Sequence, residues 1–205
     1  MIGDFSVQFV RAWHDTSWVE ILAAVLAVAY LLLAIRQRLE CWVAAFVSSA
    51  LYVWVFFTAH LYMESLLNAF YAAMAVYGFR QWRGAKGGTV LAVSRWPITR
   101  HLAGVLGILC LSVINSYFLG RFTPAVSPLV DSMVTWSSVF ATFLVTRKVY
   151  ENWHWWLVID SVSLCLYFTR HLYLTMLLFV LYLVLIVIGM RQWRRTFVVP
   201  AYAAG

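Results

Sequence analysis

One carboxylate in this chain stands where a charge is expensive. Asp160 lies about eight residues into an apolar stretch, with no Lys or Arg within a helical turn, and roughly 12 Å from the nearer end at 1.5 Å per residue. A central Asp costs about 2.5–3.5 kcal/mol on insertion scales, and intramembrane acids usually face a cavity. If the stretch is helical, Trp153, Trp156, Asp160, Ser163 and Tyr167 recur at three- and four-residue steps and share a face. Aromatic planes beside one carboxylate suit a flat organic cation, since each good cation–π contact adds about 0.5–2 kcal/mol. Two alternatives stand beside this one. Asp160 could be a protonated carboxyl that bonds neighbouring helices, and Trp153 and Trp155 could form an interfacial aromatic belt.

A second stripe holds Glu64, Asn68, Tyr71, Ala75 and Gly78. Asn68 offers both donor and acceptor. Glu64 is either a site carboxylate or a solvated helix-start residue favoured by the macrodipole. Glu20 and Asp131 occupy matching positions near two helix starts, which suggests a structural or gating role. Asn115 suits a hydrogen bond between helices, and His60 and His171 sit at two short corners. No nucleophile–base pair, phosphate loop or metal-ligand spacing is present, so no catalytic residue, cofactor or metal is expected.

The elements that position these residues are set by composition. The 205 residues are 64% hydrophobic and 11% charged, with a mean hydropathy of +0.83. Globular domains carry about 25% charged residues, so an all-α integral membrane protein is expected. A nucleotide-binding domain would not fit in this length. The net charge of +7 does not point to nucleic acid, because the basic residues sit at the ends of apolar runs. Cys41, Cys110 and Cys165 lie within or beside those runs and fit no disulfide framework. Residues 1–18 lack the apolar core of a signal peptide. Helices are expected at 18–35, 40–58, 61–79, 101–119, 125–146, 152–169 and 171–190.

The chain also matches itself. Residues 40–83 align without a gap on 151–194, with 17 of 44 pairs identical, His60-Leu61-Tyr62 falling on His171-Leu172-Tyr173 and Arg80-Gln81-Trp82-Arg83 on Arg191-Gln192-Trp193-Arg194. Such a repeat points to a pseudo-symmetric transporter with its site between repeats. Both copies end in the same basic motif, so they share an orientation, and an odd number of crossings must separate them. The expected architecture is seven transmembrane helices in a 3+1+3 order, two parallel three-helix repeats joined by a linker helix. The expected division is an outer N-terminal segment (1–17), repeat 1 (18–83), an inner loop with the linker helix (84–123), repeat 2 (124–195) and a cytoplasmic tail (196–205). With the N-terminus outside, twelve Lys and Arg fall inside and three outside, which agrees with the positive-inside rule.

Trp18-x-Glu20, Leu61-Tyr62 and Tyr77-Gly78-x-x-x-Trp82 resemble the first repeat of the PnuC-type vitamin transporters. Asp131-Ser132, Thr146-Arg147-Lys148, Glu151-Asn152-Trp153 and Gly189-x-x-x-Trp193 resemble the second, so the resemblance spans about residues 18–195. It implies a SWEET-like fold in a bacterial inner membrane, a homotrimer, and facilitated diffusion of an unphosphorylated B-vitamin that a cytoplasmic kinase then traps. Members take up nicotinamide riboside, thiamine or riboflavin. Asp160 stands where the nicotinamide riboside pattern has Asn, and Asn68 where it has Gln, with Glu64 one turn earlier in Tyr62-Met63-Glu64-Ser65. These departures resemble the PnuT-like thiamine branch, so thiamine is the expected substrate and nicotinamide riboside the alternative. A SWEET-like sugar facilitator and a proton-coupled symporter are the further alternatives.

Overall fold

The structure, a computed structural model, describes residues 17–60, 62–84, 91–122, 127–169 and 173–196. Among them lie seven α-helices: α1 (Trp18–Ile35), α2 (Cys41–Thr58), α3 (Tyr62–Arg83), α4 (Ile98–Phe122), α5 (Pro128–Thr146), α6 (Asn152–Thr169) and α7 (Tyr173–Arg195). Five of them, α1, α2, α4, α5 and α7, contain spans long and apolar enough to cross a membrane. The expected outer segment before Ser17, the Arg170–His171 corner, residues 85–90 of the inner loop and the tail beyond Thr196 lie outside the described residues.

The helix ends follow from local chemistry. Ser17 opens α1 with a capping box: its Oγ accepts from the Glu20 N–H at 3.3 Å, and Glu20 Oε2 accepts from the Ser17 N–H at 2.7 Å. Glu20 is thus occupied in satisfying backbone donors that the first turn leaves open. Ser17→Ala should lower thermal stability in detergent by about 0.5–2 kcal/mol; an unchanged melting curve would show that the cap contributes nothing. The other ends of α1 and α5 are left-handed corners. Gln37 (φ 55°) and Lys148 (φ 49°) donate to Ala34 and Val145, and the next N–H groups, of Arg38 and Val149, reach back to Leu33 and Leu144. This is the Schellman closure, with non-glycine residues at the left-handed position.

Three helices outrun their expected ends. The Arg-Gln-Trp-Arg motifs were expected to lie past the helices, yet α3 continues to Arg83 and α7 to Arg195. The cause is that Trp82 and Trp193 are buried rather than interfacial, so their turns are fixed by packing. The third, α4, starts at Ile98, directly after Pro97, and ends at Phe122. In the other direction, Pro128 sets a later start for α5, with its ring at the first helical position.

Helix α2 packs between α1 and α3, and α6 between α5 and α7. Helix α3 also meets α5, and α1 meets α7; α4 packs mainly against α5 and touches α6 where the Trp155 indole N–H donates to His101 Nδ1 at 3.3 Å. The contacts recur at the 111-residue offset. The indole N–H of Trp82 donates to Val145 O at 3.3 Å, and that of Trp193 to Ala34 O at 3.0 Å. Ring pairs repeat as well: Trp42–Trp82 at 5.3 Å and 86°, Trp153–Trp193 at 5.4 Å and 87°. Gln37 and Lys148, 111 apart, touch each other at 3.4 Å. The apolar core gathers around these tryptophans, at the basic ends of the helices.

Candidate functional site

A cavity of about 280 Å³ opens between the helices, lined from α1, α2, α3, α5, α6 and α7 but not from α4. Its size is close to the lower end of the range for small-ligand pockets. Among the described residues Asp160 is its one carboxylate, and no Lys, Arg or His lines it. The Asp160 side chain is buried, only 5% exposed, and has no hydrogen-bond or ion-pair partner among the described residues. A charge so placed is unstable unless something enters to pair with it.

The cavity brings together five of the eight expected site residues: Asp160, Trp156 and Trp153 from α6, with Asn68 and Tyr71 from α3. Trp153 is 2% exposed, which removes it from any interfacial belt. Asn68 donates one amide N–H to Glu64 O at 2.9 Å, which holds the amide on the helix surface beside the cavity. The other three stand apart. Glu64 is exposed, Ser163 is buried away from the lining, and Tyr167 packs behind Phe179 with ring centroids 4.9 Å apart. Of the residues expected to be structural, Glu20 caps α1. Asp131 lies in the first turn of α5, where its carbonyl accepts from Thr135 Oγ1 at 2.9 Å. Asn115 donates to Ser132 Oγ at 3.0 Å and ties α4 to α5.

Several lining residues were not foreseen. Asn152 precedes Trp156 and Asp160 at four-residue steps, so extending the α6 stripe by one turn would have found it. Its amide donates to Val149 O at 2.6 Å, while its Oδ1 is buried without a partner. Tyr182 and Trp42 are the 111-offset counterparts of Tyr71 and Trp153 and also line the cavity. The repeat carried that signal. Tyr30 and Tyr52 complete an aromatic wall that no local pattern marks.

The wall and the acid together can hold a flat cation. Aromatic faces stabilise a cationic ring, Asp160 balances its charge, and Asn68 and Asn152 offer amide groups for a polar substituent. A phosphate would meet a carboxylate and no basic side chain.

Comparison with known proteins adds to this picture. The sequence model of the family described as nicotinamide mononucleotide transporter matches residues 17–195. The chain is 24% identical over 206 residues to the nicotinamide riboside transporter PnuC of Escherichia coli (strain K12), covering 88% of this chain and 86% of that protein. It is 24% identical over 195 residues to the riboflavin/roseoflavin transporter RibM of Streptomyces davaonensis, covering 92% and 90%. Its fold is similar to that in the crystal structure of the vitamin B3 transporter PnuC, with a TM-score of 0.72 over 95% of this chain and 87% of that one, at 22% identity.

Proposed function

This chain belongs to the nicotinamide mononucleotide transporter family, and from that premise we propose that it is a multi-pass membrane transporter for an unphosphorylated, cationic vitamin nucleoside, nicotinamide riboside before others. The observation that carries this reading is Asp160, without a partner among the described residues, in an aromatic cavity that no described basic side chain lines. Nicotinamide riboside presents a flat pyridinium cation. The mononucleotide adds a phosphate of about −1.5 to −2 charge, which would have to be desolvated beside Asp160 with no Lys or Arg to receive it.

Thiamine gives way as the first choice. It rested on Asp160 and Asn68, but a carboxylate balances a pyridinium as well as a thiazolium, and the relatives named above carry nicotinamide riboside or riboflavin. The relatives are transporters, which supports no enzymatic role. The 3+1+3 repeat order, with the domain limits set out above, is supported by the matched tryptophan contacts. An outer N-terminus and a cytoplasmic C-terminus are supported by the distribution of basic residues. Facilitated diffusion, trapping by a cytoplasmic kinase and a homotrimer are carried over from the family resemblance, as is an inner-membrane location; the open apolar face of α4 leaves surface for lipid or a neighbouring protomer.

Calorimetry of the purified protein with nicotinamide riboside, its mononucleotide, riboflavin and thiamine tests this reading. The riboside should bind at least about tenfold more tightly than the mononucleotide, a gap of about 1.4 kcal/mol. Tighter binding of the mononucleotide would overturn the charge argument, and tighter binding of riboflavin or thiamine would reassign the substrate.

A further inference from the structure

At its basic end the cavity is closed by two layers. Ala34, Val145, Trp42 and Trp153 line it directly. Beneath them Trp82 and Trp193 meet across the middle of the molecule with ring centroids 6.3 Å apart, each bonded to the carbonyl of Val145 or Ala34. Beneath Trp82 sits Lys148, its Nζ 4.4 Å from the ring centroid and 3.4 Å from Gln37 Oε1. Gln37 in turn donates to Thr196 Oγ1 at 2.6 Å.

This arrangement is costly. Lys148 is 1% exposed and has no carboxylate partner among the described residues, so its ammonium is desolvated against an indole face and one amide oxygen. Burial pulls its proton affinity below the ordinary lysine value. Both Gln37 and Lys148 hold the left-handed conformation that favours glycine, a strain of about 1–2 kcal/mol for each residue. A methionine at 148 and a glycine at 37 would make a cheaper corner. Strained residues persist only where their surroundings fix them, and they cluster at ligand clamps and switch regions.

We propose that Lys148 and Gln37 are the inner seal of the transport path, a contact across the midline that closes the cavity at its basic end and parts for the cargo to leave. The proposal rests on the transporter reading above. It explains the residue types. An ammonium on Trp82 repels a cationic cargo while the seal is shut, and it vacates an aromatic face for that cargo when the seal opens. Cation–π attraction of about 2 kcal/mol when desolvated is strong enough to bias the closed state and weak enough to be exchanged.

A reversible clamp tests it. In the double variant Gln37→His with Lys148→His, zinc should bridge the two imidazoles, which must approach within Zn–N bonds of about 2.0–2.1 Å. Two readouts follow. The first is nicotinamide riboside flux in liposomes. The second is labelling of Ser49→Cys, in the cavity wall, by a charged thiol reagent applied from the basic side, in a background with Cys41→Ala, Cys110→Ser and Cys165→Ser. Zinc at a hundred times its Kd favours the bridged state roughly 100-fold. On adding zinc, flux and labelling should therefore fall by about tenfold or more and recover with chelator, while neither single variant should respond to zinc and riboside binding by calorimetry persists. Zinc binding that leaves flux and labelling untouched overturns the proposal. So does the absence of any zinc site, because the two side chains then do not meet. If the parent chain neither binds nor moves the riboside, the transporter reading fails instead, and the labelling arm still decides the seal.

Discussion

Gly189→Ala is expected to unseat Trp153 and to damage stability and ligand binding together. A Cβ at Gly189 would stand 2.3 Å from Cη2 of Trp153, 2.6 Å from Cζ3 and 2.7 Å from Cζ2, well inside contact distance. The ring cannot simply swing away, because its far side packs edge-on against Trp193 and its free face lines the cavity. Overpacking of this kind costs about 1–3 kcal/mol. Against it stands a gain of about 1 kcal/mol from replacing a helical glycine. The net effect should therefore be a loss of up to about 2 kcal/mol, with the displaced ring narrowing the cavity. Gly78→Ala should behave alike, since its Cβ would lie 2.5 Å from the Trp42 ring. Gly107→Ala supplies the control: nothing lies within 4 Å of its Cβ, so it should be neutral or stabilising. Thermal unfolding in detergent separates the three. A further arm, Gly189→Ala with Trp153→Phe, should recover part of the loss through a smaller ring, which a double-mutant cycle measures. If Gly189→Ala melts with Gly107→Ala, the close packing of glycine on tryptophan is not what fixes Trp153.

The same contacts show what the sequence could and could not reveal. All seven helices were legible, but not by hydropathy alone. Helices α3 and α6 are absent from the five spans apolar enough to cross a membrane, because both carry polar residues, in α6 the Asn152 and Asp160 of the cavity, in α3 Asn68 of the cavity together with Glu64 and the basic last turn outside it. The internal repeat exposed them, since each aligns with a partner. The stripe on α6 was legible because Asp160 is rare in such a setting and helical spacing fixes its neighbours. Its limits were not. Periodicity places Ser163 and Tyr167 on the face of Asp160, yet Phe179 from α7 covers Tyr167. Which part of a face meets a cavity is decided by the helix packed against it.

The surroundings of two residues were not legible for a related reason. For Trp153 a membrane-interface belt stood as the alternative to the site, and Lys148 was only one of the twelve basic residues counted on the inner side. Both are buried. Residue type gives the average environment of a tryptophan or a lysine near a helix end. The left-handed corner at Lys148, closed by Leu144 and Val145, turns this side chain inward onto Trp82. No local pattern carries that information. The 111-residue offset carries part of it, because it pairs Lys148 with Gln37 and so puts both near the axis between the repeats.

The largest functional effect should come from Asp160→Asn. The exchange keeps shape and one acceptor oxygen but removes the charge. If the carboxylate pairs with the pyridinium of bound nicotinamide riboside, affinity should fall by roughly 1.5–3 kcal/mol, or about 10- to 150-fold. Riboflavin, whose ring is neutral, should lose nothing comparable, so the ratio of the two affinities isolates charge from shape. Folding should be spared, since a neutral amide is cheaper to bury than an unpaired charge, and Asp160 has no ion pair among the described residues to break. The rival view makes Asp160 a protonated link between helices. On that view Asp160→Asn shifts the melting temperature in detergent and leaves both affinities where they were. The two views thus differ in opposite readouts of one purified variant. Unchanged riboside affinity in a well-folded Asp160→Asn protein would remove this carboxylate from the site, and with it the argument that the cavity selects a cation over a phosphorylated or neutral vitamin.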